Sequence, residues 1–499
     1  MNCNFTIYDM IVRNAILYPE RKAFIWDNQR LTFADYKNSC DRLAGYLTAR
    51  GTVTGDRIAV LSANSVDYVI LYGAASKIGA VLVPLNWRLK GEEIEYILND
   101  CTPKYLFSDN ANEPAAREIS ATVNSIEKFY LLQDAEQFKS EDYGEESGDC
   151  QQTAVSGDSP YVIIYTAAVG GKPKGCLLSQ TITISVGLQM ANLLEITGAD
   201  CHICTLPLFH IGGISMTLAT MHQGGTNIIP DRFDPALVLK LIEREKGTFL
   251  GSFPPMLGSL IKSQETESFD LSSLRMVCGV DSPETIERFL KDNSHAAFYS
   301  LYGQTEAMPI SGCNFREKPG SIGRPALLTG VALLNESGRE ALPGETGEIC
   351  VRSPAVFQGY WKLESETQHT LRSGWHHTGD LGRMDEDGFL WYMGRKPEKE
   401  LIKPGGENVY PAEVEEIILS HPSVKEACVI GVSDPEWGEA VKAICVLQEG
   451  MSLGTEELIE FVASKIARYK KPKYVLFIDK LPKTPQGTVD REKVKKDFA

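Results

Sequence analysis

A chain of 499 residues is too long for one compact core, and its length suggests roughly three domain-sized units. Hydrophobic residues at 43% and charged residues at 23% are ordinary for a soluble globular protein. The formal net charge of −16 argues against a general nucleic-acid binder, because a phosphate backbone would be repelled by most of this surface. A small anion in a locally basic pocket remains compatible with it.

The N-terminus, MNCNFTIYDMIVRNAILYPERK, lacks the charged, then apolar, then small-residue order of a signal peptide. Twelve irregularly spaced cysteines fit reduced thiols, and together these features point to a cytoplasmic protein. The spacing of Tyr36, Cys40, Leu43 and Leu47 predicts a helix that stops at Gly51. The apolar stretch YVILYGAASKIGAVLVPLNW is broken by Lys77 and ends in a proline turn, so it reads as a buried helix and strand and not as a membrane span. RIAVLSAN and AVLVPLN are short apolar runs suited to buried parallel strands. This alternation predicts a layered α/β architecture.

An acidic passage without periodicity, DAEQFKSEDYGEESGDCQQTAVSGDSP, reads as a surface connection. The strand YVIIYT follows and leads into YTAAVGGKPKG, residues 165–175. There Gly170, Gly171 and Gly175 let the backbone turn tightly and aim N–H groups at an anion, while Lys172 and Lys174 supply charge. It is no Walker loop, since Pro173 stands where Ser or Thr is required. Read alone, such a turn is more often a surface hairpin than a phosphate site.

Near residue 395 the character changes to a charged segment, a Gly-Gly turn and a helix with Pro411 at its first position. The remaining hundred or so residues suit a small α+β domain. Residues 451–499 carry a local net charge of +4, which solvated helix faces explain more simply than a surface that swings over a polyphosphate.

Four further stretches add chemistry. LPLFHIGG (206–213) sets His210 in an apolar run, and LYGQTE (301–306) ends a strand with Thr305 and Glu306, suited to a phosphate and its Mg²⁺. GWHHTGDLGRMDEDG (374–388) holds Asp380, and GRKPEKELIKPGGENVYP (394–411) holds Arg395. In this order and spacing the sequence resembles the AMP-forming acyl-CoA synthetases, within a superfamily that also contains luciferases and peptide-synthetase adenylation domains. The resemblance extends from KIGAVLVPLNWRL near residue 80 to LPKTPQGTVDR near residue 490.

The resemblance implies an α/β fold with a large N-terminal domain of layered subdomains over residues 1–395, a hinge at 396–400 and a small mobile α+β domain over 401–499. It implies an acid–CoA ligase that uses ATP, Mg²⁺ and CoA. A carboxylate is a poor acylating agent because its leaving group would be oxide. Attack on the α-phosphate of ATP releases pyrophosphate and gives an acyl-adenylate, from which the CoA thiol displaces AMP. Positioning and charge neutralisation carry such a reaction.

Carried over position by position, Glu306 would help hold Mg²⁺ and Thr305 would contact the phosphates. Tyr302, in Tyr302-Gly303-Gln304, would lie against adenine. Asp380 would take the ribose hydroxyls with Arg395 close by, and Thr166, Gly170, Gly171, Lys172 and Lys174 would form the phosphate loop. His210 would sit near the carboxylate end of the acyl tunnel. Lys399 would be the hinge, with Gly405 and Gly406 approaching the CoA thiol channel in the rotated form.

Three departures from the family pattern stand out. Residues 167–170 replace Ser-Gly-Thr-Thr, removing hydroxyls worth about 0.5–1.5 kcal/mol each in hydrogen bonds. Thr488 occupies the position of a lysine that bridges carboxylate and α-phosphate, a loss costing on the order of 10²–10³ in rate. CGVDSPE (278–284) brings Val280 and Asp281 to the wall between adenine and acyl chain. The expectation is a working ligase in which Lys483 or Lys172 supplies the charge. The alternative is an adenylation-impaired member that binds nucleotide or acyl-CoA or runs only the thioester half-reaction.

Other classes fit less well. Gly450-Met-Ser-Leu-Gly454 matches a nucleophile elbow, but no histidine follows His421 to complete a hydrolase triad. Cys201-His202-Ile203-Cys204 lacks a second ligand pair for a metal and reads as a strand with buried cysteines. With no carrier-like domain attached, CoA ranks ahead of a carrier protein as acceptor. The carboxylic acid and the oligomeric state, a homodimer included, stay open.

Overall fold

The computed structural model describes residues 5–27, 29–133, 155–166, 172–230, 232–335, 337–342, 344–396, 400–484 and 489–499. Gly170, Gly171, Lys399, Thr488 and most of the acidic passage lie outside them.

The alternation read from the sequence builds two large sheets. Arg57–Leu61 and Val81–Leu85 pair in parallel with Arg57 opposite Val81, and their apolar runs are almost wholly buried. They occupy the middle of a seven-stranded sheet beside Tyr105–Ser108 and Pro160–Thr166. A nine-stranded sheet sets Cys201–Ile203, Phe249–Ser252, Met276–Gly279 and Ala297–Gln304 side by side in parallel.

Between the sheets, the helices Phe33–Ala49, Val66–Ile78, Gln180–Leu193 and Ile211–His222 share one apolar core with residues from both. Phe33–Ala49 starts at a capping box, in which Thr32 and Asp35 satisfy each other's N–H groups. Its buried face is the expected one of Tyr36, Cys40, Leu43 and Leu47. Pro235–Glu245, Met256–Thr266 and Pro283–Asp292 cover the outer face of the nine-stranded sheet. Gly91–Cys101 and Glu113–Thr122 cover that of the seven-stranded sheet. The layers therefore alternate helix, sheet, helix, sheet, helix.

An antiparallel sheet containing Gly347–Arg352, Trp375–Met384 and Leu390–Arg395 follows. After residue 400, a separate three-stranded sheet of Val424–Asp434, Gly438–Leu447 and Tyr474–Phe477 has its own apolar cores. Its helix Pro411–Leu419 begins at the expected proline. The fold is thus a large N-terminal and a small C-terminal domain. Among the described residues no helix is long and apolar enough to cross a membrane. His202 and Cys204 are buried at the strand Cys201–Ile203, and Cys201 is partly exposed.

Candidate active site

Strands of the nine-stranded sheet end at Ser252, Gly279 and Gln304. Residues at and just beyond these ends wall a cavity of about 810 Å³, and residues of the small domain close it from the other side. Ligands in open α/β sheets bind at this edge, where the connections diverge. Gly279 has φ 144°, and a Cβ there would lie 1.9 Å from the Ser252 carbonyl oxygen. Only glycine lets the two strand ends approach this closely.

Asp380 and Arg395 are direct partners across antiparallel strands, which converts a separation of fifteen residues into contact. Arg395 Nε donates to Asp380 Oδ1 at 3.0 Å, and the Tyr302 hydroxyl donates to Oδ2 at 2.7 Å. Burial and the Asp380 carboxylate push the Tyr302 pKa well up, so the phenol stays protonated. Gln304 Nε2 also reaches Oδ2, at 3.4 Å, and His376 Nε2 meets Gln304 Oε1 at 3.0 Å. Arg395 donates further to the Leu401 carbonyl at 2.8 Å, tying the last strand of the large domain to the start of the small one.

Thr305 and Glu306 form the tip between Ala297–Gln304 and Ala307–Asn314. The Tyr360 hydroxyl donates to Glu306 Oε1 at 2.7 Å. Thr166 and Lys174 face each other where Pro160–Thr166 and Lys174–Ser179 meet, an antiparallel hairpin whose ends border the cavity. Lys174 Nζ lies 5.3 Å from the centre of the Tyr360 ring.

His210 precedes the helix Ile211–His222, and the Gly212 N–H donates to its Nδ1 at 3.2 Å. Burial, with the Lys403 and Arg88 cations nearby, pushes the His210 pKa down to about 4. The ring is therefore neutral near pH 7 and, with Nδ1 accepting, carries its proton on Nε2.

The cavity brings together Thr166, Lys174, His210, Tyr302, Gly303, Gln304, Thr305, Glu306, Asp380, Arg395 and Gly406 from the sequence-based set. Gly405 packs beside it, where a Cβ would meet Trp437 at 2.8 Å and the Pro254 carbonyl oxygen at 3.0 Å. Lys172 does not line the cavity, and its Nζ sits 5.6 Å from the centre of the Tyr96 ring. Lys483 pairs with Glu426 at 2.8 Å, also outside the cavity.

Sequence reasoning missed Tyr360 and Lys403. Tyr360 carries no local signal, because it meets Glu306 only through the strand pairing of Gly359–Tyr360 with Leu177 and Cys176. Lys403 projects into the cavity, where it is accessible and yet surrounded by protein, and burial with the Arg395 guanidinium lowers its pKa. Among the described residues its Nζ has no ion-pair partner.

Residues 11–361 match the family described as AMP-binding enzyme, and residues 413–488 match the AMP-binding enzyme C-terminal domain. An indoleacetate–CoA ligase from Aromatoleum aromaticum is 35% identical over 499 residues, covering 98% of this chain and 97% of its own. A double mutant of o-succinylbenzoate CoA synthetase from Bacillus subtilis, bound with its product analogue OSB-NCoA, superposes with a TM-score of 0.86. It is 30% identical, with 97% of each chain covered. The same enzyme in complex with the acyl-adenylate intermediate OSB-AMP gives 0.70 at the same identity and coverage. The chain belongs to the AMP-binding enzyme family as an AMP-forming acyl-CoA synthetase, joining a carboxylic acid to CoA by way of an acyl-adenylate.

Proposed function

We propose that the acid is a compact aromatic carboxylic acid and that this one cavity serves both half-reactions. The observation that carries the reading is the junction, in a single space, of the Asp380–Arg395 pair, the Thr305–Glu306 tip, His210 and an apolar compartment. Ile211, Met216, Leu301 and Met308 wall that compartment, and polarizable methionine sulfur packs well against a flat ring. Two of the relatives, an indoleacetate–CoA ligase and an o-succinylbenzoate CoA synthetase, are named for acids that carry an aromatic ring, which supports the same choice, while others are named for long-chain fatty acids.

In this reading residues 1–395 bind ATP and the acid, 396–400 with Lys399 form the hinge, and 401–499 cover the site. Asp380 accepts from the ribose hydroxyls with a carboxylate already oriented by Tyr302 and Arg395. Tyr302 supports the adenine, and Thr166, Lys174 and the backbone at Gly170 and Gly171 meet the phosphates. Glu306 and the Thr305 hydroxyl are hard oxygen donors at the cavity wall, the donor type that Mg²⁺ takes alongside phosphate oxygens and water. When bound there, the ion neutralises charge on the departing pyrophosphate.

The carboxylate oxygen forms a bond to the α-phosphorus while the bond to the β-phosphate oxygen breaks. In the second step the CoA thiol gives up its proton to water, its sulfur bonds to the acyl carbon, and the bond from that carbon to the AMP phosphate oxygen breaks. His210 donates from Nε2 to the acyl oxygen in both steps, since its protonation state leaves it no role as a base for the thiol. Lys403 neutralises the negative charge that AMP takes away. Lys483 takes over the bridging charge during adenylation, a reading supported by its bridge to Val489, the sequence neighbour of Thr488.

The test is incubation with ATP, Mg²⁺ and CoA against arylacetic, short-chain and long-chain acids, with AMP and acyl-CoA read by mass spectrometry. An aryl thioester formed with matching AMP, and a slower reaction of Lys483→Ala from ATP but not from synthetic acyl-adenylate, is the expected result. Preference for a long alkyl chain would overturn the aromatic assignment. Conversion of synthetic acyl-adenylate without AMP from any acid would confine the activity to the second half-reaction.

A further inference from the structure

The two domains are joined beside the cavity by a buried ionic contact that the chemistry above leaves unused. Glu93 stands in the first turn of the large-domain helix Gly91–Cys101. One of its carboxylate oxygens accepts from the Lys90 N–H at 2.8 Å and from the Ala467 N–H at 3.1 Å. The other accepts from Lys470 Nζ at 2.5 Å. Ala467 and Lys470 belong to the small domain, and Lys470 is only 2% exposed. Lys470 also holds Glu413 of its own domain at 2.5 Å.

A second pair crosses the same boundary. Arg88, five residues before Glu93, meets Glu407. Glu407 lies in the small-domain segment 403–410, which contributes Lys403, Gly406, Asn408 and Tyr410 to the cavity wall. The small domain is thus tied to the large domain through two charge pairs, one of them in the segment that closes the cavity, and their large-domain members Arg88 and Glu93 stand five residues apart. Charge-assisted hydrogen bonds withdrawn from water are the strong, geometry-specific kind.

We infer that Glu93 is a positioning residue for acyl transfer to CoA, holding the small domain down so that segment 403–410 closes over the acyl-adenylate. The inference rests on the reading that one cavity serves both half-reactions. ATP and the acid must enter this cavity and pyrophosphate must leave it, so the contact has to release and re-form in each turnover. A clamp of ions suits that task better than a large apolar seam, because each charge is well solvated when the domains part. The arrangement described here superposes better on the relative carrying a CoA product analogue than on the same enzyme carrying the adenylate. Glu93 touches no reacting group, and its carboxylate acts only through the small domain.

The test separates the half-reactions in Glu93→Gln, which keeps an acceptor for the two N–H groups and removes the charge. Lys470 retains Glu413, so the small domain keeps a neutral buried pair and its fold. Transfer from synthetic acyl-adenylate to CoA is expected to slow roughly five- to 150-fold, the range of a typical coupling between sites. Pyrophosphate release in the absence of CoA stays at the wild-type rate. Glu413→Gln leaves the cross-domain pair intact and transfers at the wild-type rate. Spin labels on the two domains report docking without any turnover, and Glu93→Gln shifts their distance distribution.

Unchanged transfer, an equal fall in both half-reactions, equal slowing by Glu413→Gln or an unmoved distance distribution would each overturn the inference. Wild-type protein that neither adenylates nor transfers would overturn the catalytic reading instead, while the label distances still decide the clamp.

Discussion

Lys403 is one of many lysines in the chain, and nothing in Leu401-Ile402-Lys403-Pro404 marks it as different. Its distinction is electrostatic. It is an accessible cation facing the cavity, where its neighbours Arg395 and Lys396 already have carboxylate partners. Lys403→Ala is expected to slow thioester formation roughly 10²- to 10³-fold, the usual cost of removing one preorganised charge-stabilising group. Lys172→Ala should leave that step near wild type, because Lys172 lies over Tyr96 and not at the cavity. Single-turnover transfer from synthetic acyl-adenylate to CoA checks both. Asp380 and Arg395 were legible from motifs because each sits in a recognisable local run. Lys403 was not, since its environment is assembled from Arg395, Asp380, Glu439 and Glu306, all distant in sequence except the first.

Elements decide where these side chains stand, and two glycines show how tightly. Gly279 ends its strand against Phe249–Ser252, with no room for a Cβ beside the Ser252 carbonyl. Gly279→Ala should destabilise the protein by about 1–3 kcal/mol, the range for forced overpacking. Gly258 lies inside the helix Met256–Thr266 with nothing within 4 Å of a built Cβ. Gly258→Ala should instead stabilise by about 0.4–1 kcal/mol by restricting the unfolded chain. Opposite shifts in denaturant midpoint would establish both. The sequence shows these residues only as two glycines, and their opposite signs come from neighbours on adjacent elements.

Across the whole molecule, His202, His210 and His222 are each pushed down to about 4, chiefly by burial. Between about pH 6.5 and 4 the unfolded chain binds protons at these sites while the folded protein does not. Their contribution to stability is therefore complete above the unfolded pKa and falls as pH drops through that window. Each proton adds a slope of up to roughly 1.4 kcal/mol per pH unit. His202→Gln should flatten the acid limb by one proton, whatever it does to the absolute stability. Urea denaturation of both proteins at steps from pH 6.5 to 4.5 measures the difference. An unchanged slope would show that His202 is already charged in the folded protein.

The sequence by itself determined the layered α/β architecture, the small terminal domain and the motifs whose residues line the cavity. Those features rest on periodicity, turn residues and motifs that act over a few neighbouring positions. Tertiary structure alone decided that Asp380 faces Arg395 through strand register, that Tyr360 orients Glu306, and that Lys172 turns away while Lys403 turns in. It also decided that Glu93 meets Lys470, 377 residues away, across the domain boundary. Burial and charge environment are sums over groups brought together by folding, and no local stretch of sequence contains them.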